Sequence, residues 1–257
     1  MQSLFADLSA AEILDDPFPH IVAERPMAPA LYSRFAADIP GFERVGWAGP
    51  PPNNKRYVYS TVQILADKRL DPSWRAFVRC HTAAAAFRQV VALFAGHWER
   101  LNPRFAARLK AKEELRVGLL GRDSYDVADV LMDARLEINT PVFDRPSSVR
   151  GGHLDTPNRL FSGLFYLRDP ADDTQGGDLQ LFRWRRPARR DLWRFEFSDE
   201  DLELAKTVRY APNRLVLFPN SMEALHGVSE RAVTAHQRSY MFVTAEVEED
   251  LFGAGRI

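Results

Sequence analysis

The stretch from Gly151 to Phe182, GGHLDTPNRLFSGLFYLRDPADDTQGGDLQLF, constrains the fold more than any other part of the chain. Its kernel is His153-Leu154-Asp155. In an extended strand residues i and i+2 point the same way, roughly 7 Å apart, whereas helical spacing would turn them away from each other. An imidazole and a carboxylate therefore converge on one ion only if the backbone here is extended. Leu160 to Leu167 then reads as a buried strand. Gly176-Gly177 turns the chain into a second strand, Asp178 to Phe182, in which Leu179 and Leu181 alternate with Asp178 and Gln180.

With 257 residues, 46% of them hydrophobic and 27% charged, the chain has the composition of a soluble globular protein with a large core. A formal net charge of -1 gives no global pull toward nucleic acid or membrane, and neither is expected as a partner. Cys80 is the single cysteine, so an internal disulfide framework and multi-cysteine zinc sites are excluded, as suits a reducing, cytoplasmic setting. The first twenty residues lack the basic start and long apolar core of a signal peptide. One domain over 1–257 is expected, with 1–129 mostly helical support and 130–250 a β core.

Within the first part, Asp15-Asp16-Pro17 separates a short helix from a strand around Pro19–Val22. Pro29 to Ile39 has helical spacing, and 46–55 is rich in turn residues. From Pro72 to Leu101 the residues Trp74, Phe77, Val78, Phe87, Val90, Val91, Phe94 and Trp98 follow a period near 3.6, which predicts one long helix. Pro103 starts another, through Phe105, Leu109 and Leu115. His20, His81 and His97 are read as structural or solvent-facing.

After Arg116 the pattern changes to short strands: Leu136 to Thr140, Arg150 to Asp155, Leu160 to Leu167, Asp178 to Phe182, Arg214 to Phe218 and Ser239 to Val247. Many short strands with turns between them indicate a sandwich or barrel, with the helices on one outer face. A third metal ligand must come from elsewhere. His226 is preferred over His236, because it follows the strand Leu215–Phe218 and precedes Gly227, which lets other groups come close. Two histidines and one carboxylate form the facial triad of non-heme iron(II) oxygenases.

These residues resemble the Fe(II)/2-oxoglutarate-dependent dioxygenases of the prolyl-hydroxylase type. The likeness runs through HLDTPNR (153–159), GLFYL (163–167), GGDLQLF (176–182), LFPNSMEALHGV (217–228) and QRSYMFV (237–243). It implies an α+β protein with a double-stranded β-helix (jelly-roll, cupin-like) core and a helical N-terminal half packed on one sheet. It also implies Fe(II) held by His153, Asp155 and His226, with 2-oxoglutarate and O2 as cosubstrates. Arg238 matches the basic position that holds the distal carboxylate of 2-oxoglutarate, and a guanidinium suits that task through two parallel hydrogen bonds. Tyr166 matches a position that offers the same carboxylate a hydroxyl, and Arg159 a position at the site edge that faces substrate. The separation of His226 from Arg238 suggests a hairpin at Glu230 to Ala235.

The expected activity is hydroxylation of an unactivated C–H bond of a small-molecule or carrier-bound metabolite, with release of succinate and CO2. A protein or peptide (prolyl-type) hydroxylase is the alternative. A zinc-dependent hydrolase or non-catalytic jelly-roll binding module is the reading from another class, and it would not need Arg238. Asp155 argues against the halogenating branch, which carries a small residue there. The basic, aromatic segment Arg183, Trp184, Arg185, Arg186, Arg189, Arg190, Trp193 and Arg194 either attracts an anionic substrate or closes over the site. Otherwise it is a solvated loop paired with Asp199, Glu200, Asp201 and Glu203, or with the acidic tail Glu246 to Asp250. Oligomeric state is not legible.

Overall fold

A computed structural model describes residues 1–45, 49–112, 114–186 and 196–253. The chain runs β1 (Ile21–Glu24), α1 (Pro29–Ala36), α2 (Phe42–Val45), β2 (Arg56–Tyr59), α3 (Thr61–Ala66), α4 (Pro72–His81), α5 (Ala84–Leu93), α6 (Trp98–Leu101) and α7 (Pro103–Ala111). Strands follow: β3 (Val117–Leu119), β4 (Val130–Asn139), β5 (Arg159–Tyr166), β6 (Leu179–Trp184), β7 (Leu202–Val208), β8 (Arg214–Pro219), β9 (His226–Val228) and β10 (Arg238–Glu246). The larger sheet has the order β1-β8-β5-β10-β4-β2, with β3 beside β4; the smaller has the order β7-β6-β9. Among the described residues no helix is long and apolar enough to cross a membrane.

Period-two alternation in the larger sheet separates support from chemistry. Met132, Ala134, Leu136 and Ile138 of β4, Phe161 and Phe165 of β5, Leu215 and Leu217 of β8, and Met241, Val243 and Ala245 of β10 share one core with Trp74, Phe77, Val90 and Phe94 from the helices. The intervening residues Leu164, Tyr166, Val216, Phe218, Tyr240 and Phe242 face the smaller sheet and pack with Leu179 and Leu181 of β6. The sheets enclose a double-stranded β-helix with helices on the outer face of the larger one, as the motifs imply.

Several local expectations change. The helix expected over 72–101 is three helices. The hydroxyl of Thr82 donates to the Val78 carbonyl at 2.8 Å, and Ala83 is extended, at φ -75° and ψ 152°. A side chain that takes a helix carbonyl in this way competes with continuation. The helix starting at Pro103 ends at Ala111 rather than reaching Leu115. In place of a short N-terminal helix there is a single 3-10 turn, Ala10–Glu12, closed by a capping box between Ser9 and Glu12. The segment 150–155 is not a ladder strand; it meets the free edge of β9 through the isolated bridge His153–His226. Glu230 to Ala235 is not a hairpin, because β9 and β10 lie in different sheets. β7 went unrecognised because it is a largely exposed edge strand whose LELAKTV sequence lacks clean alternation.

His81 is structural, as expected. It is buried, its Nδ1–H donates to the Phe77 carbonyl at 2.8 Å, and Nε2 accepts from the Leu4 amide at 2.9 Å. Protonation would set an Nε2–H donor against the N–H of that amide. Burial pushes its pKa down to about 4, partly opposed by the Phe77 carbonyl. Between about pH 6.5 and 4 the unfolded chain therefore binds a proton that the folded chain refuses, so stability falls as pH falls, by about 1.4 kcal/mol per pH unit from this residue. Urea unfolding of the metal-free protein from pH 6.5 to 4.5 should show this steeper loss in wild type than in His81→Gln; parallel profiles would remove His81 as the cause.

Candidate metal centre

Two reciprocal backbone hydrogen bonds bring the histidines together: His153 N–H to His226 O at 2.8 Å and His226 N–H to His153 O at 3.0 Å. Directly opposed residues of such a pair project to the same side. The imidazole centroids are 4.2 Å apart. Close approach needs Gly227, since a Cβ there would lie 2.8 Å from the Gly151 carbonyl oxygen. Asp155, two residues along, faces the same space. Its Oδ1 is 4.0 Å from His153 Nε2 and its Oδ2 is 3.8 Å from His226 Nε2. The candidate ligand atoms of His153, Asp155 and His226 all lie within 4.8 Å of one another, and the three residues are buried. His236 lies outside this cluster, its carbonyl taken by Arg231.

Each candidate ligand is suited to a cation. His153 Nδ1 is 2.8 Å from the Gly151 carbonyl and His226 Nδ1 is 2.9 Å from the Ala224 carbonyl, which fixes the hydrogen on Nδ1 and leaves the Nε2 lone pair free. Burial first, and then the neighbouring His226, push His153 well below the usual histidine range; burial likewise pushes His226 down. Both shifts favour the neutral ring. Burial alone would raise the Asp155 carboxyl. Arg159 foremost, then the two histidines and the Ser162 hydroxyl, outweigh it and hold the group below the usual carboxylate range. Arg159 Nη1 lies 2.8 Å from Asp155 Oδ1, and Ser162 donates to Oδ2 at 2.6 Å. Arg159, which the sequence sets at the site edge, thus touches a candidate ligand directly. It also pairs with Glu246 at 3.3 Å.

The three side chains open onto a cavity of about 240 Å³. Arg238 lines it, almost fully buried, with Nε donating to the Gly177 carbonyl at 2.8 Å and Nη1 to Asn139 Oδ1 at 3.3 Å. Gly177 adopts φ +72°, a left-handed conformation open to glycine, and turns that carbonyl toward Arg238. The guanidinium sits 4.9 Å from the Tyr210 and Tyr240 ring centres and 5.4 Å from that of Tyr166. Arg238 Nη2, the Tyr166 hydroxyl and Asn139 Nδ2 are all buried without a hydrogen-bond partner. Tyr166 is not on the cavity wall but packs against the Arg238 guanidinium. Burial pushes its hydroxyl above the ordinary tyrosine value, so it remains a donor.

Sequence reasoning missed Arg56, Arg135 and Arg150, which line the cavity, and Asn139, which contacts Arg238. A signal exists for two of them: Asp133, Arg135, Glu137 and Asn139 alternate with apolar residues along β4, which begins at Val130 rather than at Leu136. In the basic segment, Arg183 pairs with Asp16 rather than mainly with the acidic run. Arg185 donates to the Leu202 carbonyl at 2.6 Å, and Trp184 to the Met222 carbonyl at 2.7 Å. Arg189, Arg190, Trp193 and Arg194 lie outside the described residues. The tail serves other partners, Glu246 with Arg159 and Glu249 with Arg108 at 2.9 Å.

The sequence profile of the 2OG-Fe(II) oxygenase superfamily matches residues 143–243. Among curated proteins none matches the chain. Among solved structures, the non-heme alpha ketoglutarate dependent carbocyclase SnoK from nogalamycin biosynthesis is similar, with TM-score 0.52, 12% identity, and coverage of 96% of this chain and 87% of that one. A prolyl 4-hydroxylase from Phytophthora capsici is similar at TM-score 0.51 and 15% identity, covering 95% of this chain and 64% of that one. At such identities these likenesses speak to the fold, which is the double-stranded β-helix described above. Residues 143–243, which match the profile of the 2OG-Fe(II) oxygenase superfamily, contain all three buried candidate ligands, so the match and the candidate metal centre fall on the same part of the chain.

Proposed function

We propose that this enzyme hydroxylates an unactivated C–H bond of a small-molecule or carrier-bound metabolite, with His153, Asp155 and His226 as the iron ligands and Arg238 holding 2-oxoglutarate. The observation that carries this reading is the set of three buried donors without acceptors: Arg238 Nη2, the Tyr166 hydroxyl and Asn139 Nδ2. A buried charged donor left unpaired costs more than a hydrogen bond returns, so Arg238, the one of the three that lines the cavity, calls for an anion there. The distal carboxylate of 2-oxoglutarate supplies acceptor oxygens there. A zinc hydrolase or a binding module would leave those donors unexplained.

The donor set fits iron. Two neutral Nε2 lone pairs and one ionised carboxylate leave coordination positions open for reactants. Bound there, Fe(II) with 2-oxoglutarate and dioxygen supplies the oxidising power that yields succinate, CO2 and a hydroxylated product. The chain's part is to bind, orient and exclude water. The Gly151 and Ala224 carbonyls keep both imidazoles in the ligating tautomer. Ser162 and Arg159 fix the Asp155 carboxylate. Arg238, held by Gly177 and Asn139, sets the depth at which the cosubstrate lies. The apolar walls Leu164, Leu179 and Phe242 keep the reacting end dry. Enclosure of the cavity between two sheets supports a small substrate or a tethered arm; a peptidyl substrate is the alternative, and the chain 1–257 acts as one domain in either case.

Two measurements test this. Anaerobic addition of Fe(II) and 2-oxoglutarate should produce a visible metal-to-ligand charge-transfer band in wild type, lost in His153→Ala and in His226→Ala; a band that survives either change would sink the ligand assignment. Arg238→Met should raise the KM for 2-oxoglutarate about 10- to 100-fold, the equivalent of about 1.5–3 kcal/mol for a charged hydrogen bond. It should also erase the preference for 2-oxoglutarate over monocarboxylic 2-oxo acids, and an unchanged preference would exclude Arg238 as the anchor.

A further inference from the structure

Five arginines line the cavity, Arg56, Arg135, Arg150, Arg159 and Arg238, against one lining carboxylate, Asp155. Most of these charges are matched. Arg135 meets Asp133 at 2.5 Å and Glu137 at 2.7 Å from behind the wall. Arg159 lies between Asp155 and Glu246. Arg238 is taken up by the cosubstrate under the reading above.

Arg56 and Arg150 are left. Arg56 approaches Glu137 at 3.3 Å, a carboxylate already bound by Arg135. Arg150 has Glu196 at 3.4 Å, and that side chain is 70% exposed, where water and salt screen the pair. Both arginines stand at the rim, with side chains 42% and 26% exposed. Burial pushes the Arg150 guanidinium down from its ordinary value, and the charges of Arg56 and Arg159 push the same way, against Asp155 and Glu196. Guanidiniums that converge at a cavity edge repel one another until an anion lies between them. The planar fork of each is suited to an oxyanion.

We propose that Arg150 and Arg56 form an oxyanion-binding site at the mouth of the iron cavity, and that the substrate oxidised there carries a carboxylate. Its second clause rests on the iron and 2-oxoglutarate reading; the anion site itself does not. The group attacked then lies between two fixed ends, the metal ligands inside and the arginine pair outside. A substrate bearing a carboxylate is held by its far end while the C–H bond faces the triad.

The test uses the anaerobic Fe(II)- and 2-oxoglutarate-loaded protein, with thermal unfolding followed in sodium acetate, sodium sulfate and sodium phosphate against sodium chloride at equal ionic strength. Acetate should raise the Tm over chloride. The concentration giving half the effect should rise roughly tenfold in Arg150→Gln and in Arg56→Gln, the loss of one charged contact. Arg150→Lys should retain part of it, and Arg88→Gln, paired with Glu114 at the surface, should match wild type. The charge-transfer band reports that each variant is folded and loaded; should Arg150→Gln fail to fold, Arg56→Gln carries the test. Equal Tm in acetate and chloride, or an undiminished acetate effect in both Gln variants, overturns the proposal. Protection by sulfate or phosphate without acetate overturns the carboxylate assignment. The same titration with chelator in place of iron tests the anion site alone: acetate protection through Arg150 there, together with no band when Fe(II) and 2-oxoglutarate are supplied, leaves the anion site standing and fails the iron reading. A normal band with no anion response does the reverse.

Discussion

The bridge between His153 and His226 is the contact on which the site depends. It joins segments more than seventy residues apart by two hydrogen bonds, at 2.8 and 3.0 Å, and thereby sets two imidazoles side by side. Asp155 needs no separate device, because extended backbone returns it to the same face two residues later. Gly227 is the condition for all of this, since any side chain there would strike the Gly151 carbonyl. The smaller sheet ends where this bridge begins. A regular fourth strand would use its own ladder bonds; an isolated bridge leaves the following residues free to turn Asp155 inward.

The larger sheet solves a different problem, which is burying charge beside the candidate metal centre. Asp133, Arg135, Glu137 and Asn139 occupy the inward face of β4, opposite Thr244, Phe242, Tyr240 and Arg238 of β10. Desolvating such groups is costly, and their mutual attraction offsets that only when geometry and hydrogen bonds are good. Here they are. Arg135 joins two carboxylates, and Thr61 at the start of α3 donates to Asp133 at 2.5 Å while accepting from the Ala134 amide. Phe242 lies between the guanidiniums of Arg135 and Arg159, at 4.8 and 5.1 Å. The helices thus do more than cover the sheet: through Thr61 they tie down a charged wall of the cavity.

What the sequence disclosed followed the range of the interactions concerned. His153 and Asp155 were legible because a period of two is local, and the GGDL turn because positive φ at Gly176 and Gly177 needs glycine. His226 and Arg238 stand out in the sequence only through their motifs, and the proximity of His226 to His153 and of Arg238 to Asn139 comes from strand pairing. The start of β4 was hidden because Val130, Leu131 and Met132 are all apolar and mask the alternation that begins at Asp133. The interruption between α4 and α5 was hidden because the apolar period continues across it. Arg56 and Arg150 were out of reach: Arg56 joins the site only through the pairing of β2 with the far end of β4, where it stands opposite Asn139.

The arrangement also explains why acids are scarce on the cavity wall. A divalent cation and a dicarboxylate brought in together add no net charge, so the wall need supply only local matches. In the proposed reading Arg238 answers one carboxylate end and Asp155 the cation. Had Glu137 or Asp133 opened onto the cavity rather than lying behind Arg135, either would compete with Asp155 for the metal and repel the cosubstrate. Arg135 prevents this by pairing with both, and its guanidinium, not a carboxylate, is what the cavity meets. A surplus of positive charge at the rim is the consequence, because Glu137 cannot fully serve Arg135 and Arg56 at once. The same wall that protects iron binding thereby makes the cavity mouth attractive to an anion.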